Sequence, residues 1–165
     1  MYSKYDIVIV RGAPGIGKST LCQFIKNELL DGITIEIDSI RTMFNSNPQN
    51  EQFKQVLDIT YYLIEKFANL GRIPIIIPYT FSGVSLIYFE NLITEKYTYK
   101  IITLYSDNDT LNNRLNERIF GFKNFQFSKE VNLELINDLF RNDLKIDTTN
   151  LTTEMTAKII YQTIV

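Results

Sequence analysis

The stretch Gly12-Ala13-Pro14-Gly15-Ile16-Gly17-Lys18-Ser19-Thr20 decides the fold of this chain. It follows Ile7-Val8-Ile9-Val10, an apolar β-branched run that predicts a buried strand. After it, apolar residues recur at helical spacing, at Leu21, Phe24, Ile25 and Leu29. A glycine-rich loop between a strand and the first turn of a helix points its backbone N–H groups and the helix dipole at an anion. The spacing G-x-x-x-x-G-K-S is that of a Walker A motif and predicts a phosphate-binding loop.

Parts of this loop have distinct roles in binding a nucleotide. The small residues let backbone N–H groups turn inward around the β-phosphate. Lys18 can reach the β- and γ-phosphates, and the Ser19 hydroxyl can hold Mg²⁺. The residues that we predict to bind the cofactors ATP and Mg²⁺ here are Gly12, Gly15, Ile16, Gly17, Lys18, Ser19 and Thr20, with Ser19 as the metal ligand.

Composition bounds the possible classes of protein. A chain of 165 residues, 45% hydrophobic and 22% charged, predicts a single globular domain over residues 1–165. The net charge of −2 provides no global field that would attract nucleic acid or anionic lipid. The single Cys22 excludes an internal disulfide, and the absence of His excludes His-based catalysis and His metal sites. No apolar run approaches membrane-spanning length and no signal peptide is visible, so we expect a cytoplasmic protein without a membrane partner.

Strand and helix patterns alternate along the whole chain, which predicts an α/β fold with a parallel sheet covered by helices on both faces. The strands we predict are Ile7–Val10, Ile33–Ile37, Ile75–Ile77, Ile101–Tyr105 and Leu144–Asp147. The helices we predict after the first one are Ser39–Phe44, a long one over residues 53–68 that ends at Gly71, Val84–Glu95, Thr110–Ile119, Lys129–Asn142 and Thr152–Ile164, with a loop over Asn45–Pro48. Strands two and five alternate apolar with polar residues, so they are expected at the sheet edges. Ligands of such sheets bind beyond the carboxyl ends of the strands.

Asp38 and Arg41 follow strand two at this ligand-binding rim. Asp38 can accept the proton of an attacking hydroxyl, and Arg41, one helical turn later, can clamp a polar acceptor. The alternative is a helix-capping aspartate with a local i,i+3 ion pair. Beside a phosphate loop we favour the functional interpretation.

Arg114 and Arg118 are four residues apart, at one margin of an apolar helical stripe. The segment Gly121–Ser128 then breaks the helical pattern, which predicts a short lid, roughly residues 114–128, whose arginines act on the transferred phosphoryl group. The alternative is a solvated helix face with packed aromatic residues. Packing also explains the aromatic residues of this segment better than stacking on nucleic acid does.

Several polar segments at the same rim allow two interpretations each. Thr148 and Thr149 can contact a purine or ribose, or form a turn before the last helix. Thr80 and Ser82 can contact substrate or cap the next helix. Arg11, directly before the loop, can pair with an acidic neighbour or face the nucleotide.

With these pieces assembled, the chain resembles the small P-loop kinases of the zeta-toxin, polynucleotide-kinase and AAA-33 type. Gly12–Thr20 resembles their G-x-P-G-x-G-K-S-T loop, Asp38–Arg41 their D-x-x-R, and Ile146–Thr149 their I-D-T-T segment. The resemblance implies a three-layer P-loop NTPase fold with strand order 2-3-1-4-5, which agrees with the edge strands predicted above. One departure is that Pro78 stands where many relatives carry the Asp of D-x-T after strand three. At this position the chain therefore lacks the carboxylate that would support Mg²⁺ and orient the acceptor.

The resemblance also implies roles for individual residues. Thr20 would contact the α-phosphate, and Asp38 would be the general base. Arg41 would contact the acceptor, Arg114 and Arg118 would be lid arginines, and Thr148 and Thr149 would lie near the adenine.

We therefore expect an ATP- and Mg²⁺-dependent phosphotransferase, a kinase that acts on a hydroxyl group. The acceptor stays open between a 5′-hydroxyl polynucleotide and a small molecule such as a metabolite, nucleoside or antibiotic. The acidic balance of the chain mildly favours the small molecule, because polynucleotide binding needs several cations. A nucleotide-binding module without catalysis is the alternative of a different class.

Overall fold

The structure is a computed structural model and describes residues 3–28, 31–44, 50–81, 83–119, 121–138 and 143–165. Its strands are β1 (Ile7–Gly12), β2 (Ile33–Thr34), β3 (Ile75–Tyr79), β4 (Tyr99–Tyr105) and β5 (Asp143–Asp147). Its helices are α1 (Lys18–Glu28), α2 (Ile37–Arg41), α3 (Asn50–Asn69), α4 (Gly83–Ile93), α5 (Asn108–Glu117), α6 (Phe125–Asn137) and α7 (Thr153–Ile164). The predicted loop over Asn45–Pro48 lies outside the described residues, as do Leu29 and Ser82.

The described strands form one parallel sheet in the order β2-β3-β1-β4-β5. This confirms the predicted strand order and the placing of the second and fifth strands at the edges. β1 lies at the centre, flanked by β3 and β4, and its six residues are all buried. The apolar run that precedes the phosphate loop is therefore the middle of the molecule, and the loop leaves the sheet at its carboxyl edge.

Alternate residues of β1 feed two separate hydrophobic cores, because side chains on a strand point to opposite faces. Val8 and Val10 pack with helices α1, α5, α6 and α7, in the core that also buries Cys22. Ile7 and Ile9 pack with helices α2, α3 and α4. The sheet thus has helices on both faces, the three-layer α/β/α arrangement.

The second strand is shorter than predicted. Pairing with β3 ends at the Ile35 N–H, which donates to the Ile76 carbonyl at 2.9 Å, and helix α2 begins at Ile37. Ile37 and Ile40 are both buried, and their i,i+3 spacing places them on one face of a helical turn. The alternation at Ile33, Ile35 and Ile37 is therefore shared between a short edge strand and the start of a helix, so the prediction of a strand to Ile37 was wrong.

The lid segment is also partly different from the prediction. Residues 125–128 are helical, because α6 begins at Phe125 and not at Lys129. The Asn124 side chain caps this helix by accepting a hydrogen bond from the Phe127 N–H at 3.1 Å. Helix α5 ends at Glu117, so Arg118 follows the helix in an extended conformation. Within the predicted lid, residues 114–128, the described non-helical residues are therefore 118–119 and 121–124.

Among the residues that the structure describes, every helix is too short or too polar to span a bilayer.

Candidate active site

A cleft of ≈ 740 Å³ opens at the carboxyl edge of the sheet, above the phosphate loop. The loop lies between β1 and α1, and Gly15 and Gly17 have positive φ values of 90° and 103°. Side chains other than glycine rarely adopt this conformation, which explains both glycines. Of the predicted loop residues, the cleft is lined by Gly15, Ile16, Gly17, Lys18, Ser19 and Thr20.

Close packing beneath the loop explains the glycine at its start. A Cβ on Gly12 would lie 2.7 Å from Ile16 Cγ2 and 2.8 Å from the Leu104 carbonyl oxygen. Gly12 itself does not line the cleft, but its carbonyl oxygen receives two of the contacts described next.

Lys18 is held across the base of the loop. Its Nζ donates to the carbonyl oxygens of Gly12 and Ala13 at 2.8 and 3.0 Å, and to Thr80 Oγ1 at 3.3 Å. Burial lowers the pKa of the Lys18 ammonium to about 8, and this is partly offset by the charge of Asp38. The ammonium is therefore already positioned beside the loop that would receive the phosphates.

Thr80 is a residue whose role the sequence left open between contacting substrate and capping the next helix. Its hydroxyl lies 3.0 Å from the Gly12 carbonyl oxygen, so the exit of β3 is joined directly to the phosphate loop. β3 pairs with β1 in the sheet. The predicted strand order already placed the third strand beside the first, so the contact between Thr80 and the phosphate loop could have been expected from it. Pro78, which stands one position before Tyr79, is buried in β3 opposite Val10 and offers no metal ligand.

Asp38 and Arg41 both line the cleft, on the side of α2. They also form the local ion pair that was the alternative interpretation, with Arg41 Nη2 3.2 Å from Asp38 Oδ1. Their side chains are 62% and 40% exposed respectively, and an exposed i,i+3 pair contributes at most about 1 kcal/mol. A substrate can therefore separate the two charges at little cost, so the local pair does not exclude a role in the cleft.

The two arginines near the lid have different surroundings. Arg114 donates from Nη1 to Thr148 Oγ1 at 2.9 Å and from Nη2 to the Thr148 carbonyl oxygen at 2.7 Å. Burial lowers the pKa of its guanidinium, opposed by Asp107 and Glu117. Arg118 is exposed, and its Nη1 lies 3.4 Å from the Phe122 carbonyl oxygen. Arg114 is thus fixed against the loop after β5, whereas the hydrogen bond described for Arg118 is to Phe122, within the predicted lid segment.

Thr148 and Thr149 are separated by the fold, although they are adjacent in sequence. Thr148 lines the cleft, and its hydroxyl donates to the Tyr105 carbonyl oxygen at 2.9 Å. The Thr149 hydroxyl donates to Asp147 Oδ1 at 2.6 Å and accepts from the Asp107 N–H at 2.9 Å. Thr148 therefore lies along the cleft with its hydroxyl bonded to Arg114 and Tyr105, and Thr149 makes turn contacts.

Arg11 points away from the cleft and is fully buried in an ion-pair network. It donates to Asp138 Oδ2 at 2.8 Å, to Asp143 Oδ2 at 2.9 Å and to Thr103 Oγ1 at 2.7 Å. Lys145 adds a second cation by donating to the carbonyl oxygens of Ile136 and Asp138. Of the two interpretations left open for Arg11, pairing with acidic neighbours is the one that the structure contains.

A sheet of this order, with a Walker A loop between its central strand and the following helix, is the fold of the small P-loop kinases, and the chain has that fold. It is similar to the tunicamycin resistance protein of Deinococcus radiodurans, with a TM-score of 0.74 at 18% identity over 97% of this chain and 95% of that one. It is also similar to a sugar kinase from Janibacter, with a TM-score of 0.71 at 17% identity over 96% and 95% of the two chains. A further likeness is to a chain of the Pnkp1/Rnl/Hen1 RNA repair complex, with a TM-score of 0.67 at 20% identity, but it covers 79% of this chain and 43% of that one. No protein-family model and no curated protein sequence matches this chain.

Proposed function

We propose that this protein is an ATP- and Mg²⁺-dependent phosphotransferase that moves the γ-phosphoryl group of ATP to a hydroxyl acceptor. The observation that carries the proposal is one cleft that is lined both by the phosphate loop and by a carboxylate and a guanidinium of α2. The loop presents Lys18 and Ser19, and α2 presents Asp38 and Arg41. A donor site and an acceptor site therefore face the same space, which a phosphoryl transfer requires.

The loop residues form the donor half of the proposed site. Lys18 and the loop amides would bind the β- and γ-phosphates, and Thr20 would contact the α-phosphate. Thr148, with Arg114 fixed against it, would lie at the nucleobase end of the cleft, and Thr149 would support that loop from outside. Arg118 is the arginine with freedom to reach the γ-phosphoryl group, where a cation stabilises the charge of the transition state.

Mg²⁺ fits the oxygen donors of this cleft. In phosphate-binding sites Mg²⁺ takes one or two protein ligands, and substrate phosphates and water supply the rest. Ser19 lines the cleft beside Lys18 and would provide a hydroxyl ligand. Within the described ranges no three acidic, Cys or His side chains cluster as a self-sufficient metal site, so the metal would enter with the nucleotide. When bound, it would neutralise charge on the transferred phosphate.

Asp38 would form the acceptor half together with Arg41. A carboxylate that is largely exposed to the cleft can orient the acceptor hydroxyl and accept its proton. Arg41 would hold another polar group of the acceptor after its weak pair with Asp38 opens. We favour a small-molecule acceptor over a polynucleotide, because the net charge of −2 gives no general attraction for a phosphodiester chain. A reducing, cytoplasmic compartment is part of the same proposal, since the one cysteine is free and buried.

A transfer screen with radiolabelled ATP tests the reaction. The acceptors are 5′-hydroxyl oligonucleotides, nucleosides, sugars, sugar acids and aminoglycosides, each with Mg²⁺ present. We expect label on a small molecule. Label on the oligonucleotide alone would overturn the choice of a small molecule, and ATP binding without transfer to any acceptor would favour a binding module.

Substitution of Asp38 separates catalysis from nucleotide binding. Asp38→Asn should leave the Kd for ATP within about twofold and lower transfer at least about 100-fold, since general-base catalysis contributes 10²–10⁴-fold. The matched variant Lys18→Ala should abolish ATP binding, measured by calorimetry. Unchanged turnover in Asp38→Asn would remove Asp38 from the mechanism, and tight ATP binding in Lys18→Ala would contradict the assignment of the loop.

A further inference from the structure

The last residue of β3 and the residue after it face opposite sides of the sheet. Thr80 points to the phosphate loop, where its hydroxyl contacts Gly12 and Lys18. Tyr79 points to the other face, where it packs against the core beneath α2 and α3. Side chains alternate along a strand, so this one short segment reaches the donor wall and the acceptor wall of the cleft. Thr80 lies on the side of the phosphate donor, and Tyr79 lies on the side of the phosphoryl acceptor.

The ring of Tyr79 is fixed by other aromatic rings. It is stacked on Phe53 of α3, with centroids 5.8 Å apart, and meets Phe81 edge to face at 5.1 Å. Phe81 is fully buried and in turn stacks on Phe89 of α4 at 5.1 Å. The position of the phenol oxygen is therefore set by the core and needs no ordering when a substrate arrives.

The hydroxyl end of Tyr79 belongs to the cleft. Tyr79 lines it together with Asp38 and Arg41, and both of those charges act on the phenol. Burial raises the pKa of Tyr79, the negative charge of Asp38 raises it further, and Arg41 opposes the shift. The phenol is therefore protonated at neutral pH and can donate a hydrogen bond. Among the described residues, none accepts a hydrogen bond from the Tyr79 hydroxyl. The aromatic contacts of Tyr79 are made by its ring, with Phe53 and Phe81.

These three side chains together favour one chemical class of acceptor. Asp38 can accept the proton of one hydroxyl, whereas the Arg41 guanidinium can only donate. The Tyr79 phenol also has a proton to donate, since no acceptor for it lies among the described residues, so both groups suit further oxygens of the acceptor. A simple alcohol with a single oxygen would leave the two donors unmatched. An acceptor with an oxygen next to the reacting hydroxyl satisfies both kinds of group.

Resting on the proposed function, we propose that Tyr79 is an acceptor-binding residue whose hydroxyl donates a hydrogen bond to a second oxygen of a polyol or hydroxy-acid substrate. The attacking hydroxyl lies at Asp38 and the neighbouring oxygen at Tyr79. In the transfer, the acceptor oxygen forms a bond to the γ-phosphorus, the bond from that phosphorus to the β,γ-bridging oxygen breaks, and Asp38 takes the acceptor proton. ADP leaves, and Tyr79 keeps its proton throughout.

The experiment is a comparison of Tyr79→Phe with Tyr88→Phe. Tyr79→Phe removes the hydroxyl and keeps the stacked ring. Tyr88→Phe makes the same chemical change on α4, where the phenol donates to Asp58 outside the cleft. Each variant is measured with the polyol that the wild type phosphorylates and with its analogue lacking the neighbouring oxygen. We expect the KM of the polyol to rise about tenfold in Tyr79→Phe alone, with the Kd for ATP and the thermal midpoint unchanged.

Two further results decide between this proposal and a structural role. For the wild type, kcat/KM should be about tenfold lower on the deoxy analogue than on the polyol. For Tyr79→Phe the two values should be equal, because the hydrogen bond that the analogue cannot accept is the one that this variant cannot donate. In Tyr88→Phe, kcat/KM on the polyol and on the deoxy analogue should both stay within twofold of the wild type, because that phenol donates to Asp58 and does not line the cleft. An equal loss with the polyol and its analogue, or a loss of ATP binding, would overturn the proposal.

Binding measured without turnover separates this proposal from the proposed function. The probe is the tyrosine Cζ resonance that disappears in Tyr79→Phe, observed with a non-hydrolysable ATP analogue and the sugar, sugar-acid, nucleoside and aminoglycoside panel. A shift of this resonance on binding of a polyol that is never phosphorylated would support the Tyr79 acceptor site and contradict the proposed kinase activity. Transfer to a polyol without a shift, or binding by no polyol of the panel, would sink the Tyr79 site.

Discussion

Lys18 connects the chemistry of the loop to pH. Its pKa is lowered from 10.5 to about 8 by burial, so the ammonium is charged below pH 8 and loses its proton above it. In the proposed site, binding of the triphosphate requires the charged form of Lys18. We therefore expect the Kd for ATP to be constant below about pH 7.5 and to rise above pH 8, by up to about tenfold per pH unit, with uptake of one proton.

Calorimetry at pH 7.0 to 9.5, in buffers of different ionisation enthalpy, measures both quantities. Lys18→Arg is the control, because a guanidinium keeps its charge over this range. A Kd that rises equally in wild type and Lys18→Arg would assign the pH dependence to another group.

Some residues of the cleft could be predicted from the sequence, and others could not. Lys18 and Ser19 could be predicted at the cleft because their motif follows β1 directly. Asp38 and Arg41 could be predicted there because the carboxyl ends of parallel strands meet at one rim, although β2 ends at Thr34 and both residues lie in α2. Tyr79 could not, because its role depends on which face of β3 its ring occupies and on the aromatic rings that fix it. No spacing in the sequence records that packing.

At the scale of elements, the phosphate loop and helix α5 are packed without spare room. A Cβ on Gly15 would lie 2.5 Å from Leu115 Cδ2, and the φ of 90° there already disfavours any other residue. Helix α5 carries Arg114 directly before Leu115. The loop therefore sets the position of helix α5, which carries Arg114 at the proposed nucleobase end of the cleft.

Gly15→Ala tests this contact between elements. We expect the Kd for ATP to rise at least about tenfold, because strain of about 1–3 kcal/mol falls on the loop itself. Gly71→Ala is a matched control, since Gly71 also has a positive φ, of 70°, but no atom within 4 Å of an added Cβ. It should lower stability by about 1 kcal/mol and leave ATP binding unchanged. Equal ATP affinities of the two variants would mean that the loop tolerates the displacement of Leu115.

The elements themselves were predictable to different degrees. Long periodic segments such as α3 and α7, and the apolar central strands, were predicted with only end residues in error, because burial imposes one period on many residues. The boundary between β2 and α2 was predicted wrongly, since a short edge strand leaves too few residues to fix the period. The early start of α6 depends on a single cap, Asn124, which the aromatic run concealed.

At the scale of the whole molecule, the buried charges around Arg11 join the centre of the sheet to its last strand and to α6. Arg11→Met should lower the free energy of unfolding by about 3–5 kcal/mol, because the buried carboxylate of Asp143 and the partly buried one of Asp138 lose their cation. Arg72→Met is the control: Arg72 pairs with Asp31 at 2.9 Å, but both side chains are about half exposed. Its loss should stay within about 1 kcal/mol. Urea unfolding measures both values, and similar losses in the two variants would show that the buried pairs stabilise no more than a surface pair does.

The same network bears on how the chain acquires its activity during synthesis. Asp138 and Asp143 stand 127 and 132 residues after Arg11, so the carboxylates that neutralise it leave the ribosome long after the phosphate loop has been made. Until then the residue next to the loop is a cation that cannot be buried without its partners, and the middle of the sheet cannot close around it. On the function proposed above, we therefore expect affinity for nucleotide to be gained late in synthesis, once β5 is in place.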